Sequence, residues 1–119
     1  MKIIVAGGRD FDDWDLLVKT LSDEVKQGDI IISGEARGAD TMGASFAERR
    51  PGIYLRRMPA DWDRHGKSAG YRRNEAMAEV ADKLVAFWDG QSRGTKHMID
   101  LMKKLGKPVV IIKYERRVQ

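Results

Sequence analysis

The chain has 119 residues, a formal net charge of +4 and a pI of about 9.5, a balance that favours anionic partners without choosing between a phosphorylated small molecule and nucleic acid. It has no cysteine, which excludes disulfides and thiolate metal sites, and only two histidines, His65 and His97, which argues against a zinc site. The length fits one domain, residues 1–119, able to bury a proper core unaided.

Apolar periodicity alternates along the chain. Lys2–Ala6 reads as a short β-branched strand ending at Gly7-Gly8. Trp14, Val18, Leu21 and Val25 recur at helical spacing, with Asp12 or Asp13 placed to cap the start and Gly28 to close the end. Asp29–Ser33 is a second buried-strand pattern that ends at Gly34, and Ala39, Met42, Phe46 and Ala47 mark a second helix closed by Pro51-Gly52. Ile53–Met58 is a third strand, stopped by Pro59. A polar connection, Ala60–Lys67, leads to a third helix from about Ser68, with Met77, Ala78 and Ala81 on one face. Lys83–Phe87 is a fourth strand and Trp88–Arg93 a loop; Met98, Leu101, Met102 and Leu105 mark a fourth helix closed by Gly106. Pro108–Lys113 is a fifth strand, followed by a charged tail, Tyr114–Gln119.

Strict strand–helix alternation with solidly apolar strands predicts an α/β fold. The expected architecture is a Rossmann-like three-layer α/β/α sandwich, with a five-stranded parallel sheet in the order 3-2-1-4-5 and four helices. The apolar run after Met1 is too short for a signal-peptide core or a membrane span, so a cytoplasmic protein without membrane attachment is expected.

In an open parallel sheet, ligands bind beyond the carboxyl ends of the strands. Three such ends here are rich in glycine and charge: Gly7-Gly8-Arg9-Asp10, Gly34-Glu35-Ala36-Arg37-Gly38-Ala39-Asp40, and Trp88-Asp89-Gly90-Gln91-Ser92-Arg93-Gly94-Thr95. Glycine lets the backbone approach a ligand closely, and each loop leads into a helix start whose N–H groups and dipole favour an anion. The bland alternative is that each is only a tight turn. Neither a full G-x-G-x-x-G nor a Walker A motif is present, so no cofactor is implied. The segment Asp61–Asn74 adds Trp62, His65, Lys67 and then Tyr71-Arg72-Arg73-Asn74, residue types able to stack a base and clamp phosphates. Its bland reading is a solvated connection with Trp62 on the sheet edge. Trp88 is balanced between stacking on a base and closing the core. The pairs Arg49-Arg50, Arg56-Arg57, Lys103-Lys104 and Arg116-Arg117 read as solvated faces.

These same segments carry a resemblance. Ile4–Phe11, Ser33–Asp40, Pro59–Trp62, Arg73–Met77, Phe87–Gly90 and Ser92–Thr95, in that order over nearly the whole chain, resemble the SLOG superfamily. That superfamily joins Rossmann-like proteins related to Smf/DprA and to the LOG (lonely guy) phosphoribohydrolases; the nearest likeness is to its YspA-like, YpsA-related branch. The resemblance implies a Rossmann-like fold that binds nucleotides or nucleotide-derived molecules, in proteins that act as sensors, nucleotide-processing enzymes or DNA binders, with homodimers or higher homo-oligomers common. Arg73-Asn74-x-x-Met77 is similar to the LOG Arg-Lys-x-x-Met helix start, which places Arg73 at the catalytic arginine. Gly94-Thr95 matches part of the LOG glycine-rich loop, but Met98 stands at its glutamate position, removing a carboxylate that would stabilise oxocarbenium-like charge or position water. Glu35 stands where relatives often carry glycine, and is expected to read sugar hydroxyls, pair with Arg37 or replace the missing acid.

Three readings follow. The first is a sensor or sequestering protein for a nucleotide-derived molecule: ADP-ribose- or NAD-like, a nucleoside monophosphate or a cyclic nucleotide. The ligand would be held by Gly7, Gly8, Arg9, Asp10, Gly34, Arg37, Gly38, Ala39, Asp40, Trp62, Lys67, Asn74, Trp88, Gly90, Ser92, Gly94 and Thr95. The second is a LOG-like N-glycosidase using Arg73, Glu35 and Asp89, with Asp10, Asp40 and Glu75 as further candidate acids. The third, DprA-like nucleic-acid binding, ranks lowest because basic and acidic residues are interspersed without an aromatic-rich basic stripe.

Overall fold

The computed structural model describes residues 1–115; Arg116-Arg117, read above as solvated, lie outside the described residues. In chain order the elements are β1 (Lys2–Gly7), α1 (Trp14–Glu24), β2 (Ile30–Ser33), α2 (Ala39–Glu48), β3 (Tyr54–Arg57), α3 (Trp62–His65), a 3₁₀ turn (Gly66–Ser68), α4 (Ala69–Val80), β4 (Lys83–Trp88), α5 (Arg93–Lys104) and β5 (Val109–Lys113). All four strand pairings are parallel and the sheet order is β3-β2-β1-β4-β5, as the alternation predicted.

Period-two alternation sends each central strand's side chains to two different cores. Ile3 and Val5 of β1, Ile31 of β2, and Val85 and Phe87 of β4 pack with Leu17 and Leu21 of α1 and Phe46 of α2. Ile4 and Ala6, Ile32, and Leu84 and Ala86 pack on the other face with Met77 and Ala78 of α4 and Met98 and Met102 of α5. Because these strands are covered on both faces, nearly every residue in them is apolar. Each fully buried aliphatic or aromatic side chain of this kind contributes roughly 1.5–3 kcal/mol relative to an exposed one.

Local chemistry sets the boundaries. The Asp13 carboxylate accepts the Leu16 N–H at 3.1 Å, so Asp13, not Asp12, caps α1. That helix stops at Glu24, short of Gly28: Val25 turns extended to bury its side chain, and Gly28 serves the following turn at φ +90°. The connection Ala60–Lys67 is more ordered than its polarity implied. The Asp61 carboxylate caps a single turn, α3, by accepting the Arg64 N–H at 3.1 Å, and the 3₁₀ turn then leads into α4. Ala78 of α4 and Ala81 just after it face the core, whereas Ala76 is exposed.

The strand order reverses between β1 and β4. The loops after these two strands therefore diverge and leave a crevice at the carboxyl edge of the sheet, the place where such folds receive ligands.

Candidate functional site

A cavity of about 410 Å³ opens in that crevice. The loop after β1 gives it Gly7, Gly8, Arg9 and Asp10; the loop after β4 and the start of α5 give it Asp89, Gln91, Ser92, Gly94 and Thr95. Ala36 and Asp40 enter from the β2–α2 connection, and Arg73 and Asn74 from α4. A second cavity of about 230 Å³ adjoins it, sharing Arg9, Arg73, Asn74 and Gly94 and adding Trp62, Lys67, Gly70 and Tyr71.

Three parts of this arrangement determine its chemistry. The first is the start of α5. Ser92 is its N-cap, its Oγ accepting the Thr95 N–H at 3.5 Å and lying 3.0 Å from Thr95 Oγ1. The Asp89 carboxylate accepts the N–H groups of Gln91 and Ser92, both at 2.8 Å, which holds the preceding loop in shape. The next N–H groups, of Arg93 and Gly94, have no acceptor within the helix, and this end carries the positive pole of the helix dipole.

The second part is Arg73. One guanidinium nitrogen donates to the Gly34 carbonyl oxygen, and Nε donates to Asn74 Oδ1 at 3.0 Å. Burial pushes the Arg73 pKa down, Asp40 opposes that shift, and Arg9 adds to it. Two guanidinium groups thus border one cavity, and among the described residues neither forms an ion pair.

The third part is Asp40. It is 4% exposed, and burial pushes its pKa from 3.8 up to about 6, against Arg73 and the backbone N–H groups of Ala36, Gly7 and Asp40, which favour the charged form. Gly34 leaves room for these two side chains to approach each other: a Cβ there would lie 2.8 Å from both Arg73 Cζ and Asp40 Oδ2. The loop around it is closed by Ser33 Oγ, which donates to the Asp40 carbonyl oxygen at 2.9 Å and accepts the Glu35 N–H at 3.1 Å.

The YspA, cpYpsA-related SLOG family matches residues 1–65, more than half of the chain. The Gene 61 protein of Mycobacterium phage D29, a name that specifies no activity, is 34% identical over 117 residues, covering 92% of this chain and 94% of that protein. The chain belongs to the YspA, cpYpsA-related SLOG family. No solved structure matches the chain significantly. Membership of this SLOG family is consistent with a nucleotide-related ligand.

Against that SLOG assignment, the sequence-predicted site residues fall into distinct groups. Gly7, Gly8, Arg9, Asp10, Asp40, Arg73, Asn74, Asp89, Ser92, Gly94 and Thr95 line the main cavity, and Trp62 and Lys67 line the side cavity. Gly34, Glu35, Arg37, Gly38, Ala39, Trp88 and Gly90 line neither. Glu35 turns away: its carboxylate meets Arg57 of β3 at 2.5 Å, so its cationic partner is Arg57 rather than Arg37. Its φ of +60° explains why glycine is at home in this position. Gly38, at φ +81°, caps α2 where a Cβ would run into the Arg9 backbone. Ala39 is buried in the core. Trp88 packs into the second core, donates Nε1–H to the Ser92 carbonyl oxygen at 3.1 Å, and carries Lys113 Nζ 5.0 Å above its ring.

Some residues in or around the cavities were not assigned to the ligand from the sequence. Met98, which the LOG resemblance sets at the glutamate position, lies in the wall of the main cavity and is buried in the second core. His97 lies behind Asn74, its Nδ1 3.2 Å from Asn74 Nδ2. Tyr71 lines the side cavity and meets His97 edge-on, with centroids 4.6 Å apart at 89°. The α4 periodicity places Tyr71 and Asn74 three residues apart on one helix face; nothing local to His97 announces its part. Tyr114 closes the far side of the β1 loop: its Oη donates to Asp10 Oδ1 at 2.5 Å, and its ring meets Phe11 at 4.9 Å between centroids.

Among the described residues no group of three or more His, Cys, Asp or Glu is placed to hold a metal, and no helix is long and apolar enough to cross a membrane.

Proposed function

We propose that the protein binds a nucleotide-derived small molecule and holds its phosphate in the main cavity, between the start of α5 and the guanidinium groups of Arg9 and Arg73. The observation that carries this reading is the convergence of two arginines, outside any ion pair among the described residues, on a cavity that also takes the N-terminus of a twelve-residue helix. Helix N-terminal N–H groups and arginines both favour phosphate, the first by exposed donors and dipole, the second by charge-assisted bidentate bonds. The volume of about 410 Å³ lies in the range of roughly 300–1,000 Å³ usual for small-molecule sites.

Binding without cleavage, as a sensor or sequestering protein in the cytoplasm, is the reading best supported. A LOG-like glycosidase needs a carboxylate facing the sugar, and Met98 stands at that position. Asp89 is occupied with backbone N–H groups and Glu35 with Arg57. The remaining acid beside Arg73 is Asp40, and its elevated pKa supports a second reading in which it serves as the acid of a hydrolase.

Thermal shift of the purified protein against AMP, ADP-ribose, NAD, cyclic dinucleotides and the other nucleoside monophosphates, with recovery of the ligand for mass spectrometry, tests both readings. Stabilisation with intact ligand is the expected result. A free base with a sugar phosphate would establish the hydrolase. No stabilisation by any of them would overturn the nucleotide assignment.

A further inference from the structure

We infer that the side cavity is a subsite for one planar aromatic ring, set between Trp62 and Tyr71, and that it makes the protein select nucleotides over ring-free sugar phosphates. The inference rests on the phosphate reading above, because the two cavities share Arg9, Arg73, Asn74 and Gly94 and therefore take two parts of a single ligand.

Two aromatic side chains on a polar rim are left half in water: Trp62 is 52% exposed and Tyr71 is 47% exposed, and both line the same cavity. Adjacent exposed aromatic surface rimmed by polar residues is a mark of ligand-binding grooves. At about 230 Å³ the space falls below the range of roughly 300–1,000 Å³ for complete small-molecule sites, which suits part of a ligand. Lys67 places a cation on the rim.

Both aromatic rings are positioned. Trp62 belongs to the single turn α3 that Asp61 caps, and it reaches α4 at Gly70, where its Cη2 would lie 3.5 Å from a Cβ. Tyr71 stands perpendicular to His97, with centroids 4.6 Å apart. His97 is in turn fixed by Asn74, and Asn74 by Arg73. Since Arg73 Nε donates to Asn74 Oδ1, the amide must present Nδ2 to His97. That Nδ2 also donates to the Gly94 carbonyl oxygen at 3.3 Å. His97 Nδ1 therefore accepts, and its ring proton sits on Nε2. Burial lowers the His97 pKa and keeps the ring neutral, although Glu75 and Asp100 pull the other way. An unbroken chain of contacts thus runs from the guanidinium at the phosphate position to the face on which the ring would stack.

The test compares AMP, GMP, CMP and UMP with ribose 5-phosphate by titration calorimetry, on the full chain and on Trp62→Ala, Tyr71→Ala and Arg73→Ala. Stacking on one aromatic side chain changes affinity about tenfold or more. The expected result is at least one nucleoside monophosphate binding tenfold or more tightly than ribose 5-phosphate. Trp62→Ala should erase that preference and leave ribose 5-phosphate binding unchanged, while Trp62→Phe retains most of it. His97→Gln, which keeps an acceptor near Asn74 but loses the edge contact to Tyr71, should reduce the preference without touching ribose 5-phosphate. Equal affinity for nucleotide and sugar phosphate, or a preference intact in both aromatic variants, overturns the ring subsite and leaves the phosphate site standing if Arg73→Ala still weakens binding of both ligands. Binding of neither ligand class overturns both. A Trp62→Ala variant that changes sedimentation but not ligand preference would also overturn it, by assigning the aromatic face to a second copy of the chain.

Discussion

The two glycine-rich rims at the starts of α2 and α5 look alike in sequence and differ in what they offer. At α2 the chain supplies its own anion: the Asp40 carboxylate sits in the first turn, buried, against backbone N–H groups of Ala36 and Gly7. At α5 no acid stands in the first turn, and Ser92 caps with a hydroxyl, which leaves the positive end of the helix facing a cavity. Glycine after a parallel strand therefore signals a close approach of backbone and says nothing about who approaches. In one rim it is Arg73 against Gly34; in the other the approach is open to a ligand.

Arg73 joins the two rims, so its removal should have the largest effect. Arg73→Ala is expected to weaken phosphate-ligand binding about a hundredfold, since a charge-assisted contact is lost in a desolvated site. It should also destabilise the fold at pH 7.5 by about 2 kcal/mol, because Asp40 is left buried and charged. Chemical denaturation at pH 5 should show a smaller loss, since Asp40 is then protonated. An equal loss at both pH values would mean that Arg73 acts through packing alone.

The next effect is on pH dependence. The displacement of the Asp40 pKa from 3.8 to about 6 corresponds to about 3 kcal/mol of preference for the neutral form. Its folded pKa lies above its unfolded one. The stability it contributes is thus fully present below pH 3.8 and is lost as pH rises through about 6. A bound anion in the same cavity also favours the neutral acid. Affinity for ADP-ribose, whose diphosphate keeps its charge over this range, should rise up to about tenfold between pH 7.5 and 5.5. Asp40→Asn should flatten that rise, measured by calorimetry; an unchanged slope would separate Asp40 from the ligand.

Smaller changes probe each rim alone. Ser92→Ala removes the α5 cap and should cost about 1 kcal/mol, with only a modest loss of affinity, because the backbone donors remain. Thermal melts would detect it, and a complete loss of binding would instead make the Ser92 hydroxyl a direct ligand. Glu35→Gly relieves a left-handed backbone and should stabilise by up to about 1 kcal/mol in the same assay. The exposed pair with Arg57 offsets little of this gain.

The fold was legible because nearly all of its information is local. Solid apolar runs such as Ile30–Ile32 and Val109–Ile112, alternating with helical periodicity, indicated parallel strands among helices, although β5 at the sheet edge is only half-buried. The edge of the sheet that carries the main cavity was legible for the same reason. Which residues on that edge face the cavity was not, because it depends on contacts across the chain. Glu35 and Gly34 are neighbours in sequence, yet Glu35 was drawn outward by Arg57 and Gly34 packed under Arg73. Trp88 lies where a stacking residue would be expected, but its indole N–H found the Ser92 carbonyl oxygen and its body found the core. His97 became part of the site through Asn74, a contact made across 23 positions.

The contact between Tyr114 and Asp10 joins groups 104 positions apart and sets a wall of the β1 loop. The first half of the chain carries the loops after β1 and β2, but that wall waits for β5, the last strand among the described residues. The main cavity, which Asp10 lines, is therefore complete only in a chain whose β5 has joined the sheet. Any molecule that binds the completed crevice stabilises the whole fold by mass action, in proportion to the logarithm of its concentration over its dissociation constant. A fragment ending before β5 could keep the family's sequence hallmarks and still present an incomplete site.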